Sequence, residues 1–180
     1  MESAITVKPF RTKTETYREL LPQIESLISG EPDLIGDLAN VASALRFSFP
    51  YYSWVGFYFN LGSILLLGPF QGKPACTRLE VGKGVCGTAA AENRTVIVPN
   101  VYEFHGHIFC DESSKSEIVV PLNRDNKVLA VLDVDSYDFN QFDEVDALWL
   151  EKIAQRLSYS LADSLISYCS WVSRRFHGAK

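Results

Sequence analysis

Three cysteines lie in the middle third of the chain, at Cys76, Cys86 and Cys110. Each stands in a polar or glycine-bearing segment, not on an apolar periodic face. The thiolate is the nucleophilic and redox-active form of cysteine, so thiols near polar loops are candidates for nucleophilic or redox chemistry. One cysteine alone is more often a small buried hydrophobe, which is how we read Cys169 in the C-terminal helical segment. The three central cysteines together favour chemistry.

Cys86 lies in the stretch "GKGVCGTAA". The glycines at 82, 84 and 87 allow the backbone to turn sharply and to approach a ligand, although they could also serve only a turn. A helix that begins near Val85 would place Cys86 at its N-terminal end. The unpaired amides and the dipole there favour a thiolate, so the sequence predicts a reactive Cys86.

Cys110 stands in "GHIFCDESSKSEIVVP", beside an acidic and serine-rich run. Ionised Asp111 and Glu117 would raise the pKa of its thiol if they lay against it. His105 and His107 could oppose that effect as a base or as a cationic partner. If Asp111 points to solvent or pairs with a neighbouring amide, Cys110 can stay reactive.

Carboxylates continue on the next elements, at Glu117, Asp133 and Asp135. Side chains alternate along a strand, so Asp133 and Asp135 share one face of "VLDVD". Glu117 opens the partner strand of the same predicted hairpin, so all three can line one pocket beside the Cys110 loop. Carboxylates held close together disfavour joint ionisation, and one of them can then keep a proton and act as a general acid.

The elements that must position these side chains follow from periodicity. Apolar spacing predicts two N-terminal helices, the first kinked or started late by Pro22, and a long C-terminal helix from about Asp143. Between them, alternation and turn signals predict hairpins, a short helix after Gly84 and a long loop over 99–116. In "YSWVGFYFN", Trp54 and Tyr58 fall on one side and the other apolar residues on the opposite side. Hairpin links favour an antiparallel sheet, so we predict an α+β fold with the terminal helices on one face of the sheet and a loop-built pocket on the other.

The composition bounds the class of protein. A chain of 180 residues with 47% hydrophobic residues suits one domain over 1–180, with residues 1–14 as a loose arm. The net charge of −5 and the lack of a basic run argue against nucleic acid or membrane as partners. No signal peptide or membrane span is visible, so we expect a cytoplasmic protein whose cysteines start as thiols.

A zinc site built from Cys76, Cys86, Cys110 and His107 is one alternative. The four ligand types are suitable, but no C-x-x-C pair anchors them. We therefore expect neither a metal nor a cofactor.

Four motifs in this order, "GPFQGKPAC", "GKGVCGTAA", "HGHIFCD" and "SEIVVP", resemble those of the free methionine-R-sulfoxide reductases, which are stand-alone GAF domains. The resemblance runs from about Trp54 to Trp149 and includes "WVGFY" and "VLDVDS". It implies a redox-active disulfide enzyme of oxidative-stress defence that reduces free L-methionine (R)-sulfoxide. It also implies Cys110 as nucleophile, Cys86 as resolving cysteine, and Cys76 as a cysteine that takes over or exchanges in some members.

The resemblance implies further roles. Trp54 and Tyr58 shape the pocket, and Glu117, Asp133 and Asp135 bind the polar end and activate the sulfoxide, with their individual roles left open. A thioredoxin-type reductant restores the thiols, and a homodimer through the terminal helices is possible. The chain departs from the family pattern at Phe109, where a small residue is common, and at Asn100, where an aspartate is frequent. A GAF module that senses a small molecule or redox state without turnover is the other alternative.

Overall fold

The computed structural model describes Ile5 and residues 12–31 and 33–177. Four helices and six strands follow the predicted order. The helices are α1 (Lys13–Leu27), α2 (Leu34–Ser48), α3 (Gly84–Glu92) and α4 (Glu144–His177). The strands are β1 (Tyr52–Asn60), β2 (Ile64–Gln71), β3 (Arg78–Glu80), β4 (Val96–Val98), β5 (Ser116–Arg124) and β6 (Lys127–Ser136). Most of the predicted arm, residues 1–4 and 6–11, lies outside the described residues.

Helix α1 begins earlier than predicted and continues through Pro22. Thr12 and Glu15 form a reciprocal capping box that fixes the first turn. Leu20 and Ile24, on either side of the proline, are fully buried. Burial of this face compensates the hydrogen bond that proline cannot make, so the expected late start is wrong.

The six strands form one antiparallel sheet in the order β3-β2-β1-β6-β5-β4. Helices α1, α2 and α4 cover one face, here called the helix face, and bury the larger apolar core. Helix α3 and the loops cover the opposite face, here called the pocket face. The α+β prediction is thereby confirmed. Among the described helices, none is both long and apolar enough for a membrane span.

Strand β1 shows how alternation divides the two faces. Val55, Phe57 and Phe59 enter the core under the helices, whereas Trp54 and Tyr58 belong to the cluster of the pocket face. A glycine is required at position 56, between Trp54 and Tyr58, because a Cβ atom there would lie 2.3 Å from the Trp54 ring. The close approach of that ring therefore depends on a glycine.

A polar cluster locks the helix face. Asp146 of α4 is fully buried and accepts hydrogen bonds from the hydroxyls of Tyr17 at 3.0 Å and Tyr52 at 3.2 Å. Lys13 of α1 pairs with the same carboxylate. Every oxygen of this buried acid has a donor, as the cost of burying a charge requires. The cluster joins α1 and α4 to β1.

Candidate active site

The three predicted carboxylates lie side by side on the pocket face. In the β5–β6 register Glu117 faces Asp135, and Asp133 faces Val119, two residues after Glu117. Glu117 and Asp133 are 5% and 6% exposed, and all three line one pocket. The hairpin and its alternation therefore bring together the acids that the sequence singled out.

Aromatic and thiol side chains complete this pocket. Trp54 and Tyr58 form its aromatic wall, and Cys86 and Cys110 also line it. Trp54 stacks on Phe70 with ring centroids 5.3 Å apart, which fixes the indole plane. The cavity has a volume of about 40 Å³, room for only a few water molecules in this disulfide form.

Burial controls the charge of the acids. It raises the pKa of Asp133 to about 7. Burial, followed by the negative charge of Asp133, raises the pKa of Glu117 and of Asp135 well above the ordinary range. The Oδ1 atom of Asp133 has no hydrogen-bond partner within the described part of the chain. Such a site can hold a proton at neutral pH for a leaving oxygen and can also receive a cationic group of a ligand.

Cys86 is buried at the inner end of this acid group. Its thiol lies 3.9 Å from Glu117 Oε1, near the start of α3 as predicted. Burial, and then the charges of Asp133 and Glu117, raises the pKa of the Cys86 thiol well above its ordinary value. The predicted low-pKa thiolate is therefore wrong, because burial and adjacent acids outweigh the helix dipole.

A disulfide joins Cys76 to Cys110, with the two Cα atoms 5.3 Å apart, and Cys86 is a free thiol. The expected pairing of Cys110 with Cys86 is therefore wrong in this structure. Cys76 lies on the loop between β2 and β3, and Cys110 on the loop before β5. Both cysteines are partly exposed.

The aromatic wall also holds the Cys76 loop. The Trp54 indole N–H donates to the carbonyl of Lys73 at 3.1 Å, and the Tyr58 hydroxyl donates to the carbonyl of Cys76 at 3.0 Å. Burial and nearby acids raise the pKa of Tyr58, so its hydroxyl stays a donor. The two aromatic residues thus line the pocket and position one sulfur of the disulfide.

A polar latch joins the two cysteine-bearing loops. Asp111, next to Cys110, pairs with Lys73 at 3.0 Å and accepts hydrogen bonds from the Ser113 amide at 3.0 Å and the Tyr137 hydroxyl at 2.9 Å. Partial burial works to raise the pKa of Asp111, but these donors outweigh it and lower the pKa to about 2. The predicted pairing with a neighbouring amide is confirmed. No sequence pattern indicated the partners Lys73 and Tyr137.

The two histidines near Cys110 differ in position. His107 lines the pocket with Nδ1 3.7 Å from Glu117 Oε2, and burial lowers its pKa. At neutral pH it is uncharged, so the expected cationic partner is wrong for His107. His105 is exposed and does not line the pocket. The pocket also includes Ile108 and Ser114, which sequence reasoning missed because neither type signals a site.

One group of possible metal ligands occurs in the described part of the chain. Single ligand atoms of Cys86, Glu117 and Asp133 lie within 4.8 Å of one another. The zinc set considered from sequence needed Cys76 and Cys110 as thiolates, and their sulfurs are bonded to each other here. That four-ligand set is therefore not formed in this state.

Known proteins resemble this chain in sequence. The GAF domain family matches residues 32–162. GAF domain-containing protein A of Dictyostelium discoideum is 50% identical over 147 residues, which are 81% of this chain and 92% of that protein. The free methionine-R-sulfoxide reductase of Escherichia coli is 43% identical over 150 residues, 83% and 91% of the two chains.

A solved structure adds the fold to this likeness. The structure of free methionine-R-sulfoxide reductase from Neisseria meningitidis in complex with its substrate superimposes with a TM-score of 0.87 at 44% identity, over 93% of this chain and 99% of that one. The chain belongs to the GAF domain family and, within it, to the free methionine-R-sulfoxide reductases.

Proposed function

We propose that this protein reduces free methionine (R)-sulfoxide to methionine, with Cys110 as nucleophile and Cys76 as resolving cysteine. The observation that carries the proposal is the Cys76–Cys110 disulfide beside a pocket of buried acids. The Escherichia coli and Neisseria relatives bear the name of this activity. A module that only senses a ligand needs neither a second thiol within bonding distance nor a proton donor.

The first step uses the acids and the nucleophile together. The Cys110 thiolate attacks the sulfoxide sulfur while a protonated carboxyl of the acid group gives its proton to the oxygen. The raised pKa values of Glu117, Asp133 and Asp135 supply that proton near neutral pH. Methionine leaves, and Cys110 carries the oxygen as a sulfenic acid.

The second step closes the disulfide. The Cys76 thiol condenses with the sulfenic acid, releases water and forms the bond seen in the structure. A thioredoxin-type dithiol then reduces the disulfide and is itself oxidised. The balance is one sulfoxide and one dithiol converted to methionine, water and the reductant's disulfide.

The pocket also supports a free amino acid as the substrate. The ammonium group of a free amino acid can bind beside the three pocket carboxylates, which include the unpartnered Oδ1 of Asp133. The first residues of α3, Gly84 to Cys86, line the pocket, and their N–H groups lack partners inside the helix. A substrate carboxylate can bind there. A peptide has neither charged end at an internal methionine, so we expect it to be excluded.

A stereospecific assay tests the function. The reduced protein receives free R-sulfoxide, free S-sulfoxide or a peptide-bound sulfoxide with a thioredoxin system, and methionine is measured. We expect product from the free R form alone. Binding of the R form without any product would instead support the sensor alternative. The homodimer and the cytoplasmic location remain predictions.

A further inference from the structure

Three exposed aromatic rings lie together at the loop that carries Cys110. Tyr102, Phe109 and Phe139 are 53%, 45% and 45% exposed. Tyr102 stacks on Phe109 with centroids 5.6 Å apart and meets Phe139 edge-on at 6.1 Å. Large apolar side chains that cluster on a surface mark interaction sites more often than single ones do. We call these three residues the aromatic patch.

Two residues of the patch, Tyr102 and Phe109, belong to the segment between β4 and β5 that carries Cys110, and Phe139 follows β6. Phe109 precedes Cys110 directly in the chain. The Tyr102 hydroxyl donates to the carbonyl of Glu112 at 3.1 Å, which ties the patch to the residues just after that cysteine. Because Phe109 adjoins Cys110 in the chain, a protein that covers the patch also comes close to one cysteine of the disulfide.

The patch is held in place before any partner arrives. The Asn100 side chain accepts a hydrogen bond from the Tyr102 amide at the start of the 3-10 turn Val101–Glu103. Lys115 lies over the Phe139 ring at 5.3 Å and supplies a cation at the rim. An ordered aromatic surface with a polar rim binds with little loss of conformational entropy.

We propose that the aromatic patch is the docking surface for the protein dithiol that reduces the Cys76–Cys110 disulfide. The inference rests on the proposed function, because the catalytic cycle requires such a reductant. A thiolate of the reductant must reach one disulfide sulfur, so its surface must cover residues next to Cys110. Aromatic side chains that become buried at the centre of an interface contribute most of its binding energy.

The exchange itself balances without any further reagent. One thiolate of the reductant attacks a sulfur of the disulfide, forms a mixed disulfide and releases the other enzyme thiolate. The second thiol of the reductant then attacks the mixed disulfide. The enzyme gains two electrons and two protons, and the reductant leaves as a disulfide.

The test compares two reductants on the same variants. Phe139→Ala and Phe109→Ala remove patch rings without removing the Tyr102 hydrogen bond, and Phe47→Ala removes an exposed ring of α2 that is 68% exposed. Turnover of free methionine (R)-sulfoxide is measured with thioredoxin, its reductase and NADPH, and separately with dithiothreitol. We expect kcat/KM for thioredoxin to fall about tenfold or more in the patch variants. Turnover with dithiothreitol should stay at the wild-type level in every variant. The Phe47→Ala control should match the wild type with both reductants.

Three outcomes would overturn the docking proposal. These are unchanged thioredoxin kinetics in both patch variants, an equal loss with dithiothreitol, or an equal loss in Phe47→Ala. Unchanged thioredoxin kinetics with an altered oligomeric state, seen by gel filtration, would assign the patch to a second copy of the chain. Failure of the proposed function looks different, because the wild-type protein would then yield no methionine with either reductant.

Discussion

Two buried carboxylates on opposite faces of the sheet have opposite surroundings. Asp146 on the helix face receives hydrogen bonds from two tyrosines and pairs with Lys13. Asp133 on the pocket face has other acids and a thiol around it, and its Oδ1 has no partner in the described residues. A buried acid with donors stabilises the fold, whereas a buried acid among acids costs stability and holds a proton for chemistry. The difference separates structure from function across one sheet.

The largest contrast in turnover should appear when one cysteine on each face is replaced by serine. Cys110→Ser on the pocket face should lower methionine formation at least about 1,000-fold, because the nucleophile is lost. Cys169 packs against the core of the helix face, so Cys169→Ser should retain turnover. Both rates are measured with dithiothreitol, and circular dichroism checks the fold. Normal turnover by Cys110→Ser would contradict the assignment of chemistry to the pocket face.

Asp133→Asn should stabilise the protein increasingly as pH rises. The pKa of Asp133 is about 7 in the fold against an ordinary value of 3.8, so the folded state holds a proton that the unfolded state releases between these values. The unfolding free energy of the wild type therefore falls from about pH 4 to pH 7, relative to a variant that does not titrate. The difference should reach at most about 4 kcal/mol. Urea unfolding of the wild type and the variant, each in its disulfide form, measures this difference. A difference that does not change with pH would contradict the shifted pKa.

Asp146→Ala should lower the unfolding free energy, whereas Asp133→Asn should raise it. Asp146→Ala removes the acceptor that the Tyr17 and Tyr52 hydroxyls and Lys13 share on the helix face, while Lys13 keeps its pair with Asp143. We expect a loss of roughly 3 kcal/mol in unfolding free energy, with unchanged turnover per folded molecule. Thermal unfolding and the sulfoxide assay check the two halves. A fall in turnover without a fall in stability would place Asp146 in the chemistry.

The smallest effect should come from the latch between the two loops. Asp111→Asn removes the charge that pairs with Lys73 and leaves the pocket acids in place. The first methionine should form at the wild-type rate, while closure of the disulfide slows by roughly two- to fivefold, since an exposed pair contributes little. Rapid quenching and alkylation separate the two steps. The difference should shrink at high salt, and its persistence at high salt would exclude a charge effect.

Periodicity predicted most of the fold and the acids of the site. The alternation in "VLDVD" placed Asp133 and Asp135 on one face, and the hairpin placed Glu117 beside them, as the β5–β6 register shows. Local patterns suffice for these features because neighbouring strands pair through short turns. The sequence also carries the T-x-x-E pattern of the capping box at Thr12, which is the local signal for the early start of α1.

The choice of disulfide partner could not be predicted from the sequence. Cys76 and Cys86 both lie far from Cys110 along the chain, so their order says nothing about distance. Tertiary packing decides: α3 buries Cys86 among acids, and hydrogen bonds from Trp54 and Tyr58 hold the Cys76 loop beside Cys110. The same packing reversed the expected pKa of Cys86, since a helix N-terminus lowers a pKa only where burial does not outweigh it.

A single turnover tests the central claim most directly. The fully reduced protein receives free methionine (R)-sulfoxide without any reductant, and is then unfolded, alkylated and mapped by mass spectrometry. The account predicts one methionine per chain, a disulfide between Cys76 and Cys110, and an alkylated Cys86. A disulfide that joins Cys86 to Cys110, or no methionine at all, would contradict it.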